Sequence, residues 1–378
     1  VAEIDDQASL FPNDPEPGRG GLEPPALWLV EAGPESDVVV SSRMRLARNI
    51  DGFRFKSRFA DGEGERLEIF LRGVLHDVEP SLAYHSLNDL SKNEREAMFE
   101  RHLVSHEHVT DDQKRGVAFS EDGTISVMVN EEDHLRLQVF APGLNLTALE
   151  ERINSLDDRL AQHLTFAFDD RFGFRTSCPT NTGTGLRVSV MLHLPALAFR
   201  QPTTGRGMGR ERDIVRMHNA AQQLGLTVRG LFGESSQAEG DFFQISNQIT
   251  LGKNQAKTIE DVSALTVKVV DWERRNREAF LQEHKVQLED HVWRAWALLT
   301  SARRISSSEA LGHLSALRLG LHQKIIDLVD VGTIQRLMVT LRPGHLQLRE
   351  GRDLAPEDRD EVRAKLIRDT LAGSVNPD

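Results

Sequence analysis

The hydrophobic pattern of the chain changes character twice. Up to about residue 32 no period is sustained: Pro12, Pro15, Pro17, Pro24 and Pro25 alternate with Gly18, Gly20 and Gly21 among acidic residues. Such a segment buries too little apolar surface to offset the entropy of ordering it, so 1–32 reads as a loose tail. From Val38 short apolar runs begin. Residues 38–40, 125–129, 187–194 and 226–229 read as strands, and apolar positions recur at helical spacing over 64–76 and 146–164. Strands and helices mix without a βαβ rhythm. That predicts an α+β fold, with a mainly antiparallel sheet flanked by helices.

From about residue 256 the pattern is helical to the end, over 262–283, 286–302, 308–317 and 356–372, with charged outer faces. Ser306-Ser307-Ser308 before Glu309 marks one helix start, and Pro356 stands in a first-turn position. The division expected is a tail (1–32), a mixed domain (33–255) and a C-terminal helical domain (256–378). Residues 201–212, QPTTGRGMGRER, read as a solvated surface loop.

Composition narrows the function. The net charge of -12 argues against general nucleic-acid binding and favours basic partners. No uncharged apolar run is long enough to span a membrane, and the acidic, Pro-rich start lacks a signal-peptide core, so the expected location is cytoplasmic. A single cysteine, Cys178, excludes an internal disulfide. His102, His106 and His108 beside Glu107 lack a full zinc ligand set, and no protein-held metal is expected. There is no Walker A sequence and no eukaryotic protein-kinase motif set.

The candidate chemistry lies in three segments: Cys178-Pro179-Thr180-Asn181-Thr182-Gly183-Thr184-Gly185-Leu186-Arg187, Asn130-Glu131-Glu132-Asp133-His134-Leu135-Arg136, and Arg229-Gly230-Leu231-Phe232-Gly233-Glu234. Arginine forks hold phosphate oxygens, and carboxylates hold a guanidinium and can take its proton. The inventory suits phosphoryl transfer from a nucleotide to a cationic acceptor. In a fourth segment, Ser41-Ser42-Arg43-Met44-Arg45-Leu46-Ala47-Arg48-Asn49, Arg43 and Arg45 are two apart and would share one face of a strand.

These four segments resemble the signatures of the phosphagen (guanidino) kinase family, the ATP:guanido phosphotransferases. Phe243-Gln244-Ile245-Ser246-Asn247-Gln248-Ile249-Thr250-Leu251-Gly252 is similar to the McsB-type protein-arginine kinase branch rather than to kinases of free arginine or creatine. The resemblance runs from about Gly33 to about Ala372. It implies that Arg43, Arg45, Arg136, Arg187 and Arg229 cage the phosphates of ATP, and that Mg²⁺ arrives on the nucleotide. It implies that Glu132 is the catalytic base, that Glu234 is a second carboxylate for the acceptor, and that Cys178 lies beside that acceptor. Glu131 falls on the opposite side if its segment is extended. Asp133 and His134 read as turn and packing residues, and Ser41 as a cap or a phosphate contact. Asn181, Gly183 and Gly185 would shape the Cys178 turn. Ser235 and Gln237 depart from the family pattern, which has a glycine and an acid there.

Arg359-Asp360-Glu361-Val362-Arg363-Ala364 matches the RDxxRA motif of the same branch. The resemblance implies an allosteric phosphoarginine pocket made by Arg359, Asp360 and Arg363. The implied function is ATP-dependent phosphorylation of arginine side chains in proteins with exposed arginines, marking them for a Clp-type protease, by a homodimer. Two alternatives are a kinase of free arginine or another small guanidino compound, and a non-catalytic phosphoarginine-binding adaptor.

Overall fold

The computed structural model describes residues 26–198, 211–230 and 239–374. The central element is an eight-stranded sheet. Its strands are β1 (Val39–Arg48), β2 (Leu82–Ser86), β3 (Gly116–Ser120), β4 (Ile125–Val129), β5 (Leu135–Pro142), β8 (Leu186–His193), β9 (Leu226–Gly230) and β10 (Phe242–Asn247). A separate two-stranded hairpin joins β6 (Phe168–Asp169) to β7 (Gly173–Phe174). The large sheet runs β2-β3-β4-β5-β1-β8-β10-β9, and every neighbouring pair is antiparallel. The α+β expectation therefore holds.

Strand parity divides the sheet into two chemically different faces. Met44, Leu46, Leu137, Val139, Val188, Val190, Val228 and Ile245 point to one face and join a single apolar core. Helices α2 (Glu63–Val78), α5 (Leu146–Ala161), α7 (Glu211–Gln223) and α8 (Gln255–Glu283) cover it. Their periodic positions explain why they lie there: Leu67, Leu71 and Leu75 of α2, and Leu149, Ile153, Leu156 and Leu160 of α5, are stripes at helical spacing.

The opposite face carries the arginines, and among the described residues it is covered at its two ends. At one end, α3 (Lys92–Glu100) and α4 (His106–Thr110) pack Met98, Leu103 and Val109 on Val117, Phe119 and Met128. At the other end lies a second large core. It joins Phe140, Met191 and Phe242 of the sheet to α1 (Leu27–Val30) and to α9 (Lys285–Ser301), α10 (Ser307–His322), α11 (Val331–Thr340), α12 (Pro343–Glu350) and α13 (Pro356–Ser374). Short helix α6 (Pro195–Ala198) follows β8.

Three expectations need correction. The loose tail does not extend to residue 32, because Trp28 is buried and stacks on Phe140 with ring centroids 4.8 Å apart. The strand read at 38–40 runs on to Arg48, since Arg43 and Arg45 alternate with apolar Met44 and Leu46. The C-terminal region holds α11 and α12 beyond the helices read from periodicity. The loop read at 201–212 lies outside the described residues except for its last two, which open α7. Among the described residues no helix is long and apolar enough to cross a membrane.

A buried ionic group locks α8 to the sheet. Glu273 accepts from the backbone N–H groups of Ala196 and Leu197 at 3.0 Å each and from Arg277 Nε at 2.7 Å. Arg277 also donates to the Asp37 and His193 carbonyls at 3.0 Å each. Removing one partner leaves an uncompensated buried charge. Glu273→Ala is expected to lower the unfolding free energy by about 3–5 kcal/mol, read as a shift of the urea midpoint.

Candidate active site

The register of the sheet brings the five sequence-predicted arginines to one face. Arg45 stands directly opposite Arg187 on β8 and Gln138 on β5, and Arg136 opposes Ala47. Arg43 opposes Ser189 and Phe140. Arg229 opposes Gln244, which opposes Met191 two residues beyond Ser189. Arg48 shows the rule from the other side. Its parity sends it to the apolar face, where it pairs with Asp157 at 2.7 Å and stacks over Phe174 at 3.5 Å.

The cluster is electrostatically frustrated without an anion. Burial, then the charges of Arg136 and Arg187, pushes Arg43 down to about 9. Burial and then Arg43, Arg136 and Arg187 lower Arg45, and burial followed by Arg136 and Arg229 lowers Arg187. Among the described residues, the Nε groups of Arg45 and Arg187 are buried without a hydrogen-bond partner. Orphaned, like-charged donors on one face suit a polyanion such as a triphosphate. Arg43 is held in place: Nε donates to Ser189 Oγ at 3.2 Å and Nη2 to Gln244 Oε1 at 3.1 Å. Ser189 and Gln244 escaped the sequence reading: Ser189 shares the parity of Arg187 along β8, a usable signal, whereas Gln244 joins the site through the register of β10.

The β4–β5 hairpin supplies the carboxylates. It is a tight turn closed by Asn130 N donating to His134 O at 2.9 Å, not the extended segment considered above. Asn130 adopts φ 57° and donates through Nδ2 to the Gly64 and Lys114 carbonyls. Asp133 accepts from Asn49 Nδ2 at 2.7 Å and from Ser177 N at 2.6 Å, which ties the turn to the Cys178 segment. His134 accepts from Ile50 N through Nδ1 and donates from Nε2 to the Arg54 carbonyl. Both residues are therefore turn and packing residues.

The turn treats its two glutamates differently. Glu131 is buried and accepts from Arg136 Nη1 through both oxygens at 2.8 Å, from Ser105 Oγ at 2.6 Å and from Glu132 N at 2.7 Å. Burial would raise its pKa, but Arg136 and these donors hold it down at about 2. Glu132 points outward. Burial of its carboxylate, then the neighbouring Glu131 and Asp133, raises its pKa, while Arg136 and Arg187 oppose the shift. Adjacent carboxylates driven apart in this way are candidates for different tasks.

Cys178 is half-buried, with Sγ 3.0 Å from Thr180 Oγ1. Arg187 feels the charges of both Cys178 and Glu132, so thiol, carboxylate and guanidinium share one neighbourhood. Thr250 Oγ1 fastens the turn from below, 3.1 Å from the Thr180 carbonyl and 2.6 Å from that of Thr182. Gly183 has φ 113°, and a Cβ there would meet the Thr250 carbonyl oxygen at 2.7 Å, so only glycine fits. Glu234, with Ser235 and Gln237, lies outside the described residues.

In α13 the two motif arginines have different surroundings. Arg363 is buried, donating to the Leu341 and Ile305 carbonyls at 2.9 Å each and to Asp360 Oδ1 at 2.5 Å. Arg359 is only half-buried.

Comparison with known proteins agrees with this geometry. A model of the ATP:guanido phosphotransferase C-terminal catalytic domain matches residues 67–276. A model of the protein-arginine kinase McsB C-terminal domain matches 285–378. A protein-arginine kinase of Halothermothrix orenii is 42% identical over 345 residues, covering 91% of this chain and 96% of the relative. That of Bacillus subtilis is 40% identical over 353 residues, covering 92% and 94%. The chain belongs to the protein-arginine kinases. A solved lombricine kinase is similar in fold to this kinase, with a TM-score of 0.53 and 25% identity over 70% of this chain and 72% of that one.

The charge frustration in the kinase makes a test. Arg45→Met removes one buried group that its like-charged neighbours repel. It is expected to raise the stability of the ligand-free protein by about 1 kcal/mol while abolishing most of the thermal shift that ATP gives the parent. A parent shift of about 2.7 kcal/mol is expected at a hundredfold excess over Kd. Scanning fluorimetry with and without ATP reads both.

Proposed function

We propose that this kinase transfers the γ-phosphoryl group of ATP to arginine side chains of proteins, using the arginine face for the nucleotide and the β4–β5 turn for the acceptor. The observation that carries the reading is the convergence of five arginines on one face with the raised, outward Glu132 at its rim. Arg43, Arg45, Arg136, Arg187 and Arg229 would hold the triphosphate. Mg²⁺, bound through the nucleotide, would add neutralising charge to the phosphates.

The acceptor is a planar cation and a poor nucleophile until it loses a proton. Glu132 would accept a proton from the attacking guanidinium nitrogen. As the N–P bond forms, the bond between the γ-phosphorus and its bridging oxygen breaks, and ADP leaves with that electron pair. Cys178 and Glu234 would hold the remaining N–H groups, so the work of the site is positioning and charge complementarity. The raised pKa of Glu132 supports the role, because a base nearer neutrality takes the proton more readily.

Kinetics of Glu132→Ala test this directly. Transfer is expected to fall by at least about a thousandfold, with the ATP-induced thermal shift retained. Casein and free arginine are offered as acceptors, and products are read by mass spectrometry at neutral pH to preserve the P–N bond. Phosphoarginine in casein from the parent alone supports the reading. Transfer to free arginine only would move the activity to small guanidino compounds, and no transfer would favour a binding adaptor.

We further propose that α13 reads phosphoarginine, through Arg359 with Asp360, and that Arg363 anchors the helix rather than reaching the ligand. The three internal acceptors of Arg363 support that division. Arg359→Ala is expected to remove any response of activity to added phosphoarginine while the thermal midpoint stays within about 1 °C. An unchanged response would rule the pocket out. Recruitment of marked proteins to a Clp-type protease, a homodimeric state and a cytoplasmic location belong to the same proposal.

A further inference from the structure

The segment from Glu100 to Ser105 is fastened at both ends to parts of the molecule that are distant in sequence. Its first end grips α12. Glu100 Oε1 accepts from Gly344 N at 2.7 Å, and Oε2 accepts from His345 N at 3.0 Å and His345 Nδ1 at 2.7 Å. The contact is close-packed: a Cβ on Gly344 would stand 2.7 Å from Ala97 N. In the middle, the buried Leu103 carbonyl accepts from Ser126 Oγ at 2.6 Å and Gln138 Nε2 at 3.1 Å, both on the arginine face of the sheet. At the far end Ser105 Oγ accepts from His108 N at 3.1 Å and gives its own proton to Glu131 at 2.6 Å. Glu131 in turn holds the Arg136 guanidinium and the backbone N–H of Glu132.

We infer that Ser105 is a positioning residue for the Glu131–Glu132 turn, and that the C-terminal helices fix it there through Glu100. The inference rests on the reading that Glu132 is the base. Ser105 touches no reacting atom. It acts through Glu131, whose carboxylate sets both where the Glu132 backbone lies and where Arg136 points. The segment is stiff, because Leu103 is anchored to the sheet between the two ends. His102 lies under charge from both sides. It feels Arg43 and Arg45 from the sheet and Arg342 from the start of α12, and burial together with these charges holds it neutral, at about 3. A displacement of α12 therefore reaches Glu131 through hydrogen bonds and packing, without passing through solvent.

The hydroxyl of Ser105 does two things that substitution can separate. Ser105→Thr keeps both the acceptor for His108 N and the donor to Glu131. Ser105→Asp keeps a good helix cap but has no proton to give and sets a second carboxylate against Glu131. The full-length enzyme is assayed with ATP and casein. Ser105→Asp is expected to lose about tenfold or more in kcat, and Ser105→Thr to retain parental kcat. Full activity of Ser105→Asp would reduce Ser105 to a helix cap and overturn the positioning role.

Glu100→Gln, which loses the charge at α12, is expected to lower kcat about threefold or more at constant KM. An unchanged kcat would overturn the link to the C-terminal helices. If that variant does not fold, His345→Ala removes one of the three contacts and is read in the same way. Glu132→Ala is measured in parallel. Activity retained there defeats the reading of Glu132 as base, whereas an inactive Glu132→Ala beside an active Ser105→Asp defeats only the present inference.

Discussion

Concentrated positive charge on one face of a sheet is the constraint around which this molecule is arranged. Strand parity creates it, since Arg43, Arg45, Arg136, Arg187 and Arg229 share the face that Met44, Leu46, Val188 and Ile245 avoid. Guanidinium groups this close repel one another, and burial removes the water that would screen them. The face must therefore be supported by other means until an anion arrives. Apolar cores close it at both ends, and Glu131 neutralises Arg136 between them. The opposite face, packed by four helices, supplies the burial that offsets the cost.

Much of this was legible from residue order. A period of two over Arg43 and Arg45 places both on one face, and periodicity located α2, α5 and the long C-terminal helices. Pairing was not legible. That Arg45 meets Arg187, or that Gln244 reaches Arg43, depends on register between strands more than 140 residues apart, and a single sequence contains no statement of register. The turn at 130–134 was not legible either, because its geometry depends on a left-handed Asn130, held by the Gly64 and Lys114 carbonyls. Arg363 shows the same limit in a helix. Spacing of four puts it beside Arg359, but only tertiary packing decides that its guanidinium turns inward to Leu341 and Ile305.

The two glutamates of the turn illustrate how neighbours in sequence acquire different chemistry. Glu131 accepts four hydrogen bonds from three donors and stays ionised far below neutrality. Glu132 has a like charge on either side and a pKa moved the other way. Neither property belongs to the residue type. Each follows from what the fold places around the carboxylate, and exchanging the two environments would exchange the two roles.

The division of the chain into a catalytic part and a helical part also acquires a physical qualification. Phe140, Met191 and Phe242 are residues of the arginine-bearing face, yet they are buried in the same core as α9 to α13. Glu100 belongs to α3, yet its carboxylate is satisfied by α12. Packed interiors tolerate few intermediate arrangements, so a shift of the C-terminal helices cannot be absorbed locally. It must either strain the arginine face or move the segment that carries Ser105. In both cases the consequence is felt at the clustered charges of the arginine face and of the β4–β5 turn. The helical region is thus packed against one end of the arginine face through Phe140, Met191 and Phe242.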